Sequence, residues 1–222
     1  KLNRSGTEYA LKVLKRFSEI LNVSKITNLK IIATAVLREA TDTKPFINEV
    51  EKLFKTKINI LSGEEEAECS AEGVKIGFEN VNGLVADLGG GSLELARVEN
   101  NIVTNKTSLP IGVLRLLNNP IVKKRNLAKY IKKLLREEKW LSKKKFNNLY
   151  LVGGTWRALF KLHLFQNNHP VHIIHQYSID NNVLSKFVEK ISSFNKSKLK
   201  TVEYISKSRT PYLPYSCIIL DE

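Results

Sequence analysis

One stretch of 12 residues, from Leu84 to Leu95, constrains the fold of this chain more than any other. It reads LVADLGGGSLEL: an apolar run leads to an aspartate, three glycines and a serine follow, and the stretch continues with apolar residues that alternate with a glutamate. This pattern predicts a buried strand over 84–88 and its hairpin partner over 93–99. An ordinary hairpin turn needs only one or two special residues, whereas three glycines between two acids indicate a loop that approaches a ligand closely.

The composition of this loop favours phosphate as the ligand. Successive N–H groups without bulky side chains can surround an anion, and carboxylates beside phosphate, here Asp87 and Glu94, most often hold Mg²⁺. A P-loop or a dinucleotide fingerprint would open a helix, but a strand follows here. A glycine loop inside a hairpin resembles the phosphate clamp of the actin/Hsp70/sugar-kinase superfamily. The candidate phosphate-binding residues are Gly89, Gly90, Gly91 and Ser92.

A second acidic motif, SGEEEA, covers residues 62–67. Ser62 and Glu65 have the spacing of a capping box, and acids at a helix N-terminus are stabilised by the helix dipole. These structural roles account for Glu64 and Glu65. Glu66 lies beyond what the cap requires, and it is a candidate general base for an attacking water. Spacing alone leaves a purely structural role for Glu66 open.

Five segments in register resemble the signatures of the Ppx/GppA phosphatases. They are ATAVLREA at 33–40, SGEEEA at 62–67, DLGGGSLE at 87–94, LPIGVLRL at 109–116 and GGTWRA at 153–158. Each motif alone is a weak signal. Together, in the order and spacing of the family, they make a specific match over nearly the whole chain.

The resemblance implies an α/β fold of two actin-like ATPase lobes with a cleft between them. Residues 1–64 would form the remainder of the first lobe, and residues 65–222 would form the second, which contains the glycine-rich hairpin. It implies Mg²⁺-dependent removal of a terminal phosphate from polyphosphate or guanosine pentaphosphate. By carry-over, Glu66 would activate the water, Arg38 would neutralise phosphate charge, and Asp87 and Glu94 would hold Mg²⁺. The phosphate-binding set would extend to Gly153, Gly154 and Thr155.

Two segments of the family pattern are absent from this sequence, an early phosphate loop of the form D-x-G-S-N and a later S-x-x-G-L-R-E-G. Because the sequence contains no methionine, we expect the chain to begin inside a longer one, with the N-terminal strands of the first lobe missing. The missing loop keeps a non-catalytic polyphosphate or alarmone sensor open as an alternative. A third hypothesis is a kinase or chaperone of the same superfamily, but only residues 153–155 support the adenosine site that it would need.

The charge of the chain favours a polyanionic substrate. Its 222 residues include 36 Lys and Arg against 22 Asp and Glu, for a net charge of +14. Eleven basic residues fall between 123 and 145; they read either as a track for a long polyanion or as a solvated helix face. We expect polyphosphate ahead of guanosine pentaphosphate. Nucleic acid is not favoured, because no RNA-binding aromatics at motif spacing accompany the basic residues.

Other residues carry weaker expectations. Cys69 and Cys217 suggest neither a disulfide nor a metal site and suit a reducing cytoplasm, and no apolar stretch is long enough for a membrane span. Three histidines between 169 and 175 are expected to pack rather than bind metal. Arg209 resembles a family arginine near the cleft, with a structural salt bridge as the alternative. The resemblance also admits a homodimer.

Apolar periodicity predicts an alternation of helices and strands typical of α/β proteins. The predicted helices cover 7–21, 35–40, 45–54, 62–76, 126–140, 156–164, 181–192 and 199–206, and the strands cover 29–33, 58–61, 84–88, 93–99, 102–109 and 149–152.

Overall fold

The glycine-rich hairpin forms the centre of a four-stranded sheet in the computed structural model of the chain, which describes residues 1–118, 126–142 and 145–222. The chain divides into two units, Lys1–Glu66 and Ala67–Glu222. The predicted α/β class is confirmed. The assignment of residues 1–64 and 65–222 to the two lobes of the superfamily stays a prediction, as do the missing strands.

The first unit consists of two parallel strands and three helices. Its elements are α1 (Arg4–Val23), β1 (Ile31–Ala33), α2 (Ala35–Glu39), α3 (Lys44–Phe54) and β2 (Ile58–Ile60). The strands pair with Ile31 opposite Ile58. Helix α1 begins because the side chain of Asn3 accepts a hydrogen bond from the N–H of Gly6, which satisfies a free donor of the first turn.

The second unit builds the sheet and the helices that cover it. Helix α4 (Gly63–Gly77) begins in the first unit and continues into the second, which starts at Ala67. The other elements are β3 (Gly83–Leu88), β4 (Leu93–Glu99), β5 (Ile102–Leu109), α5 (Val113–Leu117), α6 (Leu127–Glu137), α7 (Lys139–Ser142), β6 (Leu149–Val152), α8 (Gly154–Gln166), α9 (Asn181–Ser192), α10 (Lys196–Lys200), a 3₁₀ turn (Thr210–Tyr212) and α11 (Leu213–Asp221).

The sheet has the strand order β5-β4-β3-β6. Strands β3, β4 and β5 are antiparallel neighbours, and β6 runs parallel to β3 with Val152 beside Asp87. The carboxyl ends of β3 and β6 therefore meet at one edge of the sheet. Because parallel strands end at the same edge, the loop after β6 lies beside the glycine loop after β3.

Both faces of the sheet are covered by apolar side chains, so its central strands are buried on both sides. Val85 and Ala96 pack with Ala67 and Ala71 of α4 on one face. The opposite face carries the larger core, in which Leu88 packs with residues of α8, α9 and α11. Side chains alternate between the faces of a strand, and Asp87, two residues after Val85, therefore lies on the α4 face.

Two secondary-structure expectations are corrected, and two helices are added to those predicted. The helix predicted over 199–206 ends at Lys200, because β-branched Thr201 and Val202 follow and Tyr204 has a φ of 67°. The basic helix predicted over 126–140 is divided at Glu138 into α6 and α7. Helices α5 and α11 were not predicted. The second is apolar almost all round, so it lacks the periodicity by which surface helices are recognised.

Several expectations about the basic segment fall on Lys123, Lys124, Arg125, Lys143 and Lys144, which lie outside the described residues. Among the helices of the described ranges, none combines the length and the hydrophobicity that crossing a membrane requires.

Candidate active site

The carbonyl groups of the glycine loop are held by helix α5. The carbonyls of Gly89 and Gly90 accept hydrogen bonds from the first three N–H groups of α5, at 2.9–3.2 Å. The Nε of Arg115 donates to the carbonyl of Gly91 at 2.7 Å. In a trans peptide the N–H points away from the carbonyl of the same unit. The N–H groups of Gly90, Gly91 and Ser92 are therefore directed to the side opposite α5, and no hydrogen bond within the described residues engages them.

Gly112, directly before α5, allows this close approach. A Cβ at this position would lie within 3.0 Å of the carbonyl group of Gly90 and of the carbonyl carbon of Gly91. Its own backbone has φ −64° and ψ 152°, which any residue can adopt. Gly112 is thus required by the space between two backbones, because its conformation is an ordinary one.

Two carboxylates flank this loop, one on each strand of the hairpin, and they belong to Asp87 and Glu94. Asp87 and Glu94 are directly opposite in the antiparallel register, so their side chains share one face with Cβ atoms about 5 Å apart. Ser70 of α4 donates to Asp87 Oδ2 at 2.6 Å. Ser108 of β5, the cross-strand neighbour of Glu94, donates to Glu94 Oε1 at 2.7 Å. These hydroxyl groups orient the two carboxylates, and Glu94 is buried.

The donor set fits a magnesium ion better than a metal held by many protein ligands. Across residues 1–118, 126–142 and 145–222, no three His, Cys, Asp or Glu side chains are grouped so that they could hold a metal ion. Magnesium is usually bound by one or two carboxylates, several waters and the oxygens of a phosphate substrate. Asp87 and Glu94 are two carboxylates on one face of the hairpin, so they could hold such an ion, and the N–H groups of the glycine loop could bind a phosphate beside them.

The loop after β6 closes against the end of β3. Gly153 has φ 107°, a conformation that favours glycine, and a Cβ there would lie 3.1 Å from Asp87 Oδ1. Helix α8 begins at Gly154, and its second residue, Thr155, is buried. The start of this helix carries the positive end of the helix dipole. The second glycine-rich segment therefore lies beside the carboxylate of Asp87.

The guanidinium group of Arg209 lies against Gly154, where any larger side chain would overlap it. Arg209 is exposed. No carboxylate in the described part of the chain forms an ion pair with it, so the structural salt bridge left open by the sequence is not found there.

In the first unit, Glu66 forms an ion pair with Arg38. The Nη1 group of Arg38 donates both to Glu66 Oε2 and, at 2.7 Å, to the carbonyl of Leu61. Both side chains are mostly buried, at 23% and 15% exposed. The expected capping box is present one residue earlier, since the Glu65 carboxylate accepts from the Ser62 N–H at 2.7 Å. Glu66 is thus left out of the cap and held by Arg38.

Sequence reasoning placed the carboxylates and glycines in the site but missed four residues that support them. Ser70 and Ser108 orient the carboxylates, whereas Gly112 and Arg115 hold the glycine loop. The last two belong to the segment LPIGVLRL, so a signal was present. The two serines carried no signal, because their partners are 17 and 14 residues away along the chain.

The family model for the Ppx/GppA phosphatase family matches residues 1–222 of the chain. The chain belongs to the Ppx/GppA phosphatase family. The resemblance inferred from the five motifs is therefore confirmed, and the loop, the two carboxylates and helix α5 described above are those of a Ppx/GppA family member.

Curated relatives match parts of this family member. It is 38% identical over 120 residues to the guanosine-5'-triphosphate,3'-diphosphate pyrophosphatase of Aeromonas hydrophila. The matched stretch covers 54% of the chain and 24% of that relative. It is 30% identical over 221 residues to the bifunctional 3-dehydroquinate synthase/phosphatase of Fusobacterium nucleatum, covering 91% of the chain and 33% of the relative. The chain thus spans a quarter to a third of the length of these proteins.

Solved structures share the fold. An exopolyphosphatase from Cytophaga hutchinsonii superposes with a TM-score of 0.87 at 18% identity, over 99% of this chain and 74% of that one. The Aquifex aeolicus member of the Ppx/GppA family superposes with a TM-score of 0.76 at 19% identity, over 100% and 74%. The fold of the chain is therefore that of the Ppx/GppA proteins.

Proposed function

We propose that the protein removes terminal phosphate groups from inorganic polyphosphate by Mg²⁺-dependent hydrolysis. The observation that carries this proposal is the orientation of the glycine loop. Its carbonyls are bound by α5, so three consecutive N–H groups, those of Gly90, Gly91 and Ser92, face the opposite side as donors for phosphoryl oxygens. Membership of a phosphatase family supports the same reaction class.

The chemistry of phosphoryl transfer suits this arrangement. The reaction needs a positioned water, neutralised phosphate charge and in-line geometry more than a covalent intermediate. Asp87 and Glu94 would hold Mg²⁺, which when bound neutralises phosphoryl oxygens. The loops at 89–92 and 153–155 would bind the phosphate groups through their N–H donors.

We assign the base role to Glu66, because its carboxylate is mostly buried and oriented by an ion pair. It would accept the proton of the attacking water. Arg38 would then shift from the carboxylate toward phosphate charge, since a guanidinium can serve either anion. Glu64 and Glu65 are exposed and stay outside this role.

Guanosine pentaphosphate is the second candidate substrate. The relative from Aeromonas hydrophila, named as a pyrophosphatase of this nucleotide, favours it. We place polyphosphate first because the chain carries a net charge of +14, which strengthens the attraction for the longer polyanion.

The test is phosphate release from long-chain polyphosphate by the full-length protein, with and without Mg²⁺, beside its Glu66→Gln variant. Removing a general base should lower kcat by ~10²–10⁴-fold. Binding of polyphosphate should be kept or become tighter, because the variant frees Arg38 from its ion pair. Glu64→Gln is the matched control, since this exposed neighbour in the same helical turn should leave the rate unchanged.

Two results would contradict the proposal. If the wild-type protein releases no phosphate from polyphosphate but does from guanosine pentaphosphate, the second candidate is correct. If it binds either compound without releasing phosphate, the protein is a sensor rather than an enzyme.

A further inference from the structure

Helix α6 presents a basic stripe to solvent, and none of its residues belongs to the glycine loop. Four cationic side chains occur at positions i, i+3, i+4 and i+7, a spacing that places them on one face of a helix. All four are exposed, whereas Leu127 and Ile131 on the other face are buried. The basic stripe consists of Lys129, Lys132, Lys133 and Arg136.

The stripe borders a shallow depression in the protein surface. The depression has a volume of about 640 Å³, and all four cations line it. Along the helix axis they span about 10 Å, from seven residues at a rise of 1.5 Å each. Among the described residues, its lining carries four cations and one acid, Glu137, and this excess of positive charge attracts anions.

Neighbouring acids neutralise the stripe only in part. Lys133 lies 3.8 Å from Glu137 and Lys132 lies 3.1 Å from Glu222. In the ranges that the structure describes, Lys129 and Arg136 have no ion pair. The contact between Lys133 and Glu137 joins two exposed side chains, and such a pair is weak and open to exchange with a stronger anion.

We infer that the basic stripe of α6 binds internal phosphates of a long polyphosphate chain, apart from the terminal phosphate that is hydrolysed. This inference rests on the proposed function. Charge complementarity favours a linear polyanion, because four cations along one helix face match closely repeated negative charges. Single-stranded nucleic acid is bound through stacking on aromatic side chains as well as through charge. The one aromatic residue of α6, Tyr130, also lines the depression, but it is half-buried and packs against the core, and a single ring cannot stack successive bases.

The test compares two variants of the full-length protein that each lose three lysines and one arginine. The stripe variant is K129Q/K132Q/K133Q/R136Q. The control variant is K12Q/K15Q/R16Q/K52Q, in the exposed faces of α1 and α3. The cations of α1 have the same close spacing, but Glu8 and Glu19 share their helix face. The control therefore has the same change in net charge without an uninterrupted stripe.

The stripe variant should raise the KM for long-chain polyphosphate at least ~10-fold with kcat unchanged, because four phosphate contacts are lost. Its kcat/KM for tripolyphosphate should stay unchanged, since so short a chain has no internal length to reach a second site. The slope of log Kd for long-chain polyphosphate against log salt should fall by about 3, at roughly 0.7–0.9 per contact. A charge-retaining variant, K129R/K132R/K133R, should behave as the wild type.

Three outcomes separate this inference from the proposed function. Equal losses in the stripe and control variants would overturn the inference, because net charge alone would explain them. Displacement of polyphosphate from the stripe by single-stranded RNA of equal charge at equal concentration would also overturn it and assign the stripe to nucleic acid. Binding of polyphosphate that depends on the stripe, in a protein that hydrolyses none, would support the stripe and refute the proposed function.

Discussion

The contact between Gly112 and the glycine loop makes the sharpest prediction. In Gly112→Ala, the new Cβ would lie within 3.0 Å of backbone atoms of Gly90 and Gly91, where real Cβ atoms are essentially never found. The atoms it meets belong to backbone, so no flexible side chain can give way. The backbone dihedrals at 112 suit alanine, and steric overlap is therefore the only cost.

The size of the effect follows from this geometry. Overpacking of this kind costs about 1–3 kcal/mol of stability. Restoring an ordinary spacing of 3.4–4 Å requires the loop to move by roughly 1 Å, and a displacement of that size in a positioning group lowers the rate by ~10²-fold. We therefore expect Gly112→Ala to lose both stability and kcat/KM.

Urea unfolding and phosphate release from polyphosphate, measured at a temperature where both proteins are folded, check the two effects separately. Gly73→Ala is the matched control, because the Cβ at Gly73 in α4 would meet nothing within 4 Å. Replacing a helical glycine by alanine there should stabilise the protein by about 0.5–1 kcal/mol and leave the activity unchanged. Wild-type stability and activity in Gly112→Ala would refute the reasoning that α5 holds the loop.

Three further predictions concern other described residues. Arg115→Ala should lower the free energy of unfolding by ~1.5–3 kcal/mol, because a charged donor to the Gly91 carbonyl is lost; urea unfolding measures this, and an unchanged midpoint would count against the contact. Burial raises the pKa of Cys217 to about 12, so a maleimide should label exposed Cys69 alone in the folded protein and both thiols in urea; rapid native labelling of both would contradict the burial. Desolvation lowers the pKa of His163 from its ordinary value of 6.5, so on acidification the unfolded chain binds this proton before the folded protein does. The free energy of unfolding should therefore fall as the pH drops through 6.5 and below, which thermal melts from pH 8 to pH 5 measure. The same fall in His163→Gln would show that another group causes it.

The site was predictable from sequence to the extent that it depends on neighbours along the chain. The hairpin around Asp87 and Glu94 follows from local alternation, and the register of a hairpin puts the two residues opposite one another. The capping box of Ser62 and Glu65 is equally local. The prediction of a helix over 199–206 was wrong because local propensity is a weak guide to where a helix ends, and here the helix stops at Lys200 before Tyr204 takes a φ of 67°.

What the sequence alone determined is the class of the fold, the position of the glycine loop at 89–92 and the family of the protein, since motifs and short-range periodicity carry that information. Only the tertiary structure decided how the loop is oriented. The direction of its N–H groups depends on hydrogen bonds from α5 and Arg115, more than 20 residues later. Contacts between distant segments arise from the packing of the whole core, and no local pattern encodes them. The same holds for the ion pair of Arg38 with Glu66, 28 residues apart.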